Sequence, residues 1–356
     1  MKLVLDTFCE VYDLLKPHAD AEFWNFQEHL DAGKLVPGAV YLIGRVQFNL
    51  NIDRIKQLAE TNTIIPVLGN PAEGSATMIG HCQRLEILDL IRQGKILLIT
   101  GGYVPDEYPS LYYENFLPKI LDYTENVEAI KTYNEHAATN RPYKFLFLNG
   151  RGRNHRRVLL NRLKNLLDQS LCSNLDSVAG PIRLLPSKYE YNDYIEFMNV
   201  PKEGFIKQDL MRDKVWGDVY INADAYIDTY FSVITETVFE YPYTFRTEKI
   251  WKPVVIGHPW IAVANCGYYR DMHNLGFQTF GHVIDESFDS IEDNDQRLER
   301  IAQIIEDLCQ QDLDKFLEEC YNVCKYNQQH LAEMRIRVRQ EFPDRFFQFM
   351  KQNNII

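Results

Sequence analysis

The feature that most limits what this chain can fold into is a strand–helix alternation that occurs twice. Residues 39–43 form a short apolar run closed by Gly44. Residues 51–60 then place Ile52, Ile55 and Leu58 on one helical face. Residues 63–68 are a second apolar run ending at Gly69, 78–93 read as a helix stopped by Gly94, and 95–100 are a third run ending in Gly101 and Gly102. Short apolar runs bounded by glycine read as strands buried on both faces, and helices between them require parallel pairing. A polar stretch at 132–141 looks like a boundary, after which the pattern restarts with the strand 144–148. A helix follows, carrying Leu159, Leu160, Leu163, Leu166 and Leu167. Strands at 230–235 and 260–264 flank a helix that begins after Thr247, ends by Gly257 and contains Pro253. A short helix, 269–275, is closed by Gly276, and from 295 onward the chain is helical.

The expected fold is α/β, with two Rossmann-like domains, a cleft between them and a helical C-terminus. The length of 356 residues supports two domains, because single cores stop growing near ~250–300 residues. The boundaries are expected at 1–138, 139–335 and 336–356. Open α/β sheets bind ligands beyond the C-terminal ends of their strands, so site residues are sought there.

Charge and cysteine usage exclude several classes. A net charge of −12 argues against a nucleic-acid partner. The seven cysteines, odd in number and scattered, fit a reducing compartment, and a cytoplasmic location is expected. Cys320 and Cys324 share one helix face and read as core thiols rather than a zinc site. The run 1–6 breaks at Asp6, too early for a signal peptide, and no stretch of ~18 apolar residues could span a membrane.

Against that acidic background one basic loop stands out. Asn149-Gly150-Arg151-Gly152-Arg153-Asn154-His155-Arg156-Arg157 follows directly on an apolar strand and opens a helix. Cations are unfavourable there, because a helix N-terminus already carries about +0.5 charge. An anion would offset the repulsion, with the glycines admitting backbone amides and the arginine forks matching phosphate oxygens. The alternative is an exposed basic loop paired with carboxylates. Arg156 and Arg157 enter the helix proper and are expected to point outward. The loop lacks G-x-x-x-x-G-K-[ST], so it is not a P-loop.

A second stretch carries a family resemblance: Thr235-Glu236-Thr237, then Phe245-Arg246-Thr247-Glu248-Lys249-Ile250-Trp251-Lys252-Pro253, then Gly257-His258-Pro259-Trp260-Ile261. Gly276-Phe277-Gln278-Thr279-Phe280 and Asp285-Glu286-Ser287-Phe288-Asp289 follow. The run resembles the donor-binding domain of GT-B glycosyltransferases, in particular the α-1,3-fucosyltransferase and exostosin-like groups and related phage and bacterial glycosyltransferase-like proteins. It covers about residues 230–308 well and 144–160 loosely. The resemblance implies a GT-B fold whose last helix packs back toward the N-terminal domain, with Phe342, Phe346, Phe347 and Phe349 supplying apolar surface. It implies transfer of a sugar from a nucleotide sugar, GDP- or UDP-linked, to a hydroxyl of a glycan or other acceptor, with no cofactor.

The same resemblance implies that Glu248 accepts hydrogen bonds from the ribose hydroxyls and that Lys249 and Arg246 lie near the diphosphate. Arg151 and Arg153 would cap that diphosphate, and Glu236 and Thr247 complete the substrate-binding set. The plain alternatives are a carboxylate serving only the helix dipole for Glu248 and a surface amine for Lys249. Trp251 and Phe245 read as core, and His258 as structural. With arginines at the diphosphate, no metal is expected. Asp293-Asn294-Asp295 and Asp312-Leu313-Asp314 match the letters of a metal-binding D-x-D but stand at helix starts, where aspartate caps. An acceptor hydroxyl needs a base in an inverting transfer, and the loop 101–108 after the third strand offers Asp106 and Glu107. A sugar-nucleotide epimerase or hydrolase, or a non-enzymatic glycan-binding protein of the same fold, are the competing readings.

Overall fold

The computed structural model describes residues 2–136, 140–149, 152–174, 182–183 and 221–356. The chain divides into two compact units, Met1–Pro118 with Arg335–Ile356, and Lys119–Met334.

The first unit is built on a parallel sheet of six strands: β1 (Leu3–Asp6), β2 (Ala21–Phe23), β3 (Val40–Gly44), β4 (Ile65–Asn70), β5 (Leu97–Thr100) and β6 (Ser110–Tyr112). Their order is β2-β1-β3-β4-β5-β6. β1, β3 and β5 are buried along their whole length, and β4 all but its first residue. That burial explains why they lack polar alternation. The chain runs outward from β1 to β2 and then returns across β1 to β3. The sheet therefore has a switch point between β1 and β3. There the carboxylate of Asp6 closes the end of β1, accepting from Gly44 N at 2.9 Å and from Phe8 N at 2.9 Å.

The helix expected over 78–93 is two helices, Ser75–Arg84 and Leu88–Arg92. Glu86, at φ 56°, breaks the run, a conformation that costs a side-chain-bearing residue energy and leaves no strong signal in sequence. Residues 335–356 end the helix Leu313–Gln352 and belong to this first unit. Phe342 is fully buried and meets Tyr113 edge-on at 4.8 Å, while Arg345 donates to Tyr112 O at 2.8 Å.

The second unit holds β7 (Tyr143–Asn149), β8 (Ser170–Asn174), β9 (Ile182–Arg183), β10 (Thr229–Thr235) and β11 (Trp260–Val263), in the order β11-β10-β7-β8-β9. The four longer strands pair parallel and β9 pairs antiparallel. This sheet has its own switch point, between β7 and β10. The helix Thr124–Glu135, assigned by sequence to the first domain, belongs to this unit, so the boundary falls at 118/119 rather than near 138. Its buried Asn126 explains the difference: Nδ2 donates to Ile120 O at 2.7 Å, and Oδ1 accepts from Ile221 N at 3.0 Å. The polar stretch begins in the last turn of that helix, and Arg141 beyond it is buried, its Nη1 donating to Tyr226 O at 2.7 Å and Thr229 O at 2.6 Å.

The helix Glu248–Ile256 begins and ends as the sequence requires. Thr247 caps its N-terminus, and Gly257 closes it at φ 81°. The left-handed backbone is what calls for glycine there; a Cβ would also crowd the end of the Gln328 side chain at 2.7 Å. No described helix is long and apolar enough to cross a membrane.

Candidate functional site

Two helices start at the switch point of the second unit. The helix Asn154–Arg162 follows β7, with Arg153 at its N-cap. The helix Glu248–Ile256 follows β10 after a loop. Both N-terminal turns stand over the C-terminal ends of adjacent strands, and a web of buried hydrogen bonds holds them there.

Glu236, the residue after β10, is the hub of that web. It is fully buried. Its carboxylate accepts from Thr247 Oγ1 at 2.7 Å, Thr247 N at 3.1 Å, Tyr268 OH at 3.1 Å and Thr237 N at 3.3 Å. Burial pushes its pKa up, against the pull of Lys249 and the Thr247 hydrogen bonds. Sequence reading placed Glu236 among the substrate contacts. Its four protein donors fasten the cap of the 248–256 helix onto the end of β10.

The first turn of the Asn154–Arg162 helix is tied to the same place. Arg156 Nη2 donates to Thr235 O at 2.8 Å, and His155 Nε2 lies 3.1 Å from Glu236 O. The His155 ring stacks on Phe239 at 5.0 Å. Arg156 was expected to point outward and is instead buried. A guanidinium can satisfy strand-end carbonyls that a helix turn crosses, and helical spacing alone does not reveal that partner. Burial, with Arg156 adjacent, pushes the His155 pKa down to about 4, so its ring is neutral near pH 7.

Of the residues expected to meet ligand, Arg153 is exposed at the N-cap. Arg151 and its neighbour Gly150 lie outside the described residues. Thr247 is the cap, its Oγ1 accepting from Lys249 N at 3.3 Å. Arg246, which precedes it, is buried. Glu248 is buried and forms an ion pair with Lys249, whose amine is partly exposed. Burial raises the Glu248 pKa, but Lys249 and Lys252 outweigh burial and hold it below the usual carboxylate range. Glu248 is therefore an anion near pH 7, able only to accept.

The two candidates for catalytic base stand elsewhere. Asp106 and Glu107 are the central residues of a turn in which Tyr108 N donates to Pro105 O. The loop that carries them runs back along the sheet, because β6 is parallel to β5 and must restart at its beginning: Leu98 N donates to Pro109 O. Glu107 faces Arg92, at the end of the helix that precedes β5, at 3.5 Å. The turn thus lies at the N-terminal ends of the strands, opposite the end where α/β sheets bind ligands. The sequence shows that a loop follows a strand, but not that the next strand is parallel and draws it back. At the C-terminal ends of this sheet the buried carboxylates are Glu114, two residues beyond β6, and Asp6, the latter legible in sequence only as a polar residue closing an apolar run.

Other readings are settled locally. Asp293 caps the helix Asn294–Leu308, accepting from Gln296 N at 2.8 Å, and Asp312 accepts from Lys315 N at 3.1 Å. His258 is packed in the core: Nε2 donates to Thr229 O at 2.7 Å, and Nδ1 accepts from Ser232 Oγ at 2.9 Å. Trp251 and Phe245 are core residues. Arg297, which sequence reading passed over, is a buried clamp. Its guanidinium donates to Ala264 O at 3.2 Å, Ile291 O at 2.7 Å and Phe239 O at 2.8 Å, and it holds the loop after β10. Compared with protein-family models, curated proteins and solved structures, the chain finds no match in any of the three.

Proposed function

We propose that the second unit binds the diphosphate of a nucleotide sugar at the switch point between β7 and β10, and that the chain is a metal-independent glycosyltransferase of the GT-B type. One observation carries the reading: two helix N-termini, at Arg153–Asn154 and Thr247–Lys249, are fastened to the ends of adjacent strands. Each helix start carries partial positive charge from its dipole, which favours an anion. Arg153 adds a guanidinium fork and Lys249 a partly exposed amine, paired with Glu248, beside them. Glu248, anionic and on the first turn, supplies an acceptor for hydroxyl donors next to that anion site. Anion site and hydroxyl acceptor together match a nucleoside diphosphate. The resemblance of residues 230–308 to GT-B donor domains supports sugar transfer as the reaction.

In this reading the cations and helix dipoles neutralise the leaving diphosphate as the glycosidic bond breaks. Charge stabilisation of that kind is often the largest catalytic contribution. The test is release of free nucleotide from a panel of GDP-, UDP-, CMP- and dTDP-sugars, with and without glycan acceptors and with and without EDTA. Acceptor-stimulated release that persists in EDTA is expected. Release abolished by chelation and restored by manganese or magnesium would defeat the metal-independent mechanism, and no release from any donor would defeat glycosyl transfer.

A further inference from the structure

Buried amide groups seldom lack a partner, because a stranded donor or acceptor is costly. Two stand at the C-terminal ends of strands flanking β10. Asn265, two residues beyond β11, is buried, and its Nδ2 donates to Thr244 Oγ1 at 3.0 Å and to Cys266 O at 2.9 Å. A carbonyl can only accept, so Cys266 O determines which way the amide faces, and Oδ1 is the end left over. Among the described residues nothing donates to Oδ1. On the other side of β10, the last residue of β7 is the buried Asn149. Its Oδ1 accepts from Thr235 Oγ1 at 2.6 Å, and its Nδ2 has no partner among the described residues. An acceptor and a donor therefore flank one strand end. Two strand spacings and two residues of rise separate them by about 10–12 Å. Trp260 Nε1 is also without a partner, but it belongs to the first residue of β11, at the opposite end of the sheet.

An aromatic pair lies on the loop that Asn265 holds through Thr244. Tyr241 and Tyr243, both partly exposed, have ring centroids 5.3 Å apart at an interplanar angle of 46°. Their loop is fixed on both sides: Arg297 holds Phe239 O at 2.8 Å, and Thr244 bonds to Asp271 and Asn265. Aromatic faces beside a lone acceptor suit a flat heterocycle that presents a ring N–H. A lone donor beside the start of the Asn154–Arg162 helix suits a phosphate oxygen.

We propose that Asn265 reads the nucleobase. Its Oδ1 accepts the ring N–H of an imide or lactam base, uracil or guanine, lying against Tyr241 and Tyr243, while Asn149 Nδ2 donates to a phosphate oxygen. The proposal rests on the nucleotide-binding reading above and adds its base class. Cytosine and adenine carry a ring acceptor where uracil and guanine carry a donor, so lone pair would face lone pair and both bases are rejected.

The experiment is calorimetric titration of the full chain with UDP, GDP, CDP, ADP and inorganic pyrophosphate. UDP or GDP should bind about tenfold or more tightly than CDP and ADP, the equivalent of one hydrogen bond and its mismatch. Asn265→Leu should bring that ratio toward one and leave pyrophosphate affinity unchanged. Asn149→Leu should weaken pyrophosphate and every nucleotide together. Should Asn265→Leu fail to fold, the Tyr241→Ala/Tyr243→Ala double variant, which keeps every buried hydrogen bond, should lose about tenfold for the favoured nucleotide and nothing for pyrophosphate. Equal binding of all four nucleotides to the parent would overturn the base reading alone. So would a ratio that survives in Asn265→Leu or parental affinity in the tyrosine double variant. A parent that binds no nucleotide at all would overturn the nucleotide site as well.

Discussion

Acidification should unlatch the second unit through its buried histidines, and His258 sets the scale. Thr229 O can only accept, so Nε2 carries the proton and Nδ1 accepts from Ser232. Burial, reinforced by the nearby Arg141 charge, lowers the pKa of His258 from 6.5 to about 3. Burial lowers that of His155 to about 4. A base whose folded pKa is depressed contributes stability above its unfolded pKa. That stability drains as pH falls from the unfolded pKa toward the folded one, because only the unfolded chain takes up the proton. For His258 the window runs from 6.5 down to about 3. Each pH unit inside it removes about 1.4 kcal/mol, and the whole window about 5 kcal/mol. The assay is urea unfolding followed by tryptophan fluorescence, since Trp251 and Trp260 are both buried in this unit. Between about pH 7.5 and pH 5.5, His258 and His155 should together remove roughly 3 kcal/mol. His258→Phe should cost about 1–3 kcal/mol at pH 7.5, because it strands the buried Ser232 hydroxyl and removes one of two donors to Thr229 O, Arg141 Nη1 remaining at 2.6 Å. Its pH profile should nevertheless be flatter than the parent's by about 1.4 kcal/mol over that interval. A parent–variant difference that does not change with pH would refute the reasoning, because His258 would then not resist protonation.

Three further outcomes follow from the same site. Arg153→Ala should lose roughly ten- to a hundredfold in affinity for a nucleoside diphosphate while its affinity for the nucleoside holds, with Arg153→Lys recovering only part, as calorimetry would show. Equal losses for both ligands would remove Arg153 from the phosphate end. Glu248→Gln should weaken nucleotide-sugar binding by about tenfold, while thermal unfolding reports a loss near 1 kcal/mol from the dipole and the Lys249 pair. Unchanged donor affinity would leave Glu248 a helix residue only. Arg156→Ala should cost about 1.5–3 kcal/mol in urea unfolding, since it strands Thr235 O. A neutral result would contradict the clamp drawn from its 2.8 Å bond.

Much of the second unit was legible in sequence. The runs at 144–148, 230–235 and 260–264 lie within or almost wholly within β7, β10 and β11, because strands buried on both faces must be continuously apolar. The cap at Thr247 and the stop at Gly257 were legible for a local reason: one side-chain oxygen and one left-handed residue do that work. The short strands were not. β2 and β6 have three residues each, and β8 is Ser-Leu-Cys-Ser-Asn. None has an apolar period of its own, and partners remote in sequence supply their pairing.

By itself, then, the sequence determined which segments bury apolar surface and where the helix Glu248–Ile256 begins and ends. Those properties depend on neighbours a few residues away. The helix expected to carry Leu163, Leu166 and Leu167 instead stops at Arg162 and gives way to a 3-10 turn over Lys164–Gln169. Tertiary structure alone decided the task of each polar residue. Glu236 and Arg156 look like ligand contacts or solvated charges until strand order sets a helix cap or a strand-end carbonyl against them. Asp106 and Glu107 look like site residues until the parallel pairing of β5 and β6 carries their turn to the far end of the sheet. Charge and hydrogen bonding act across distances in space, and only the folded topology converts positions in the chain into those distances.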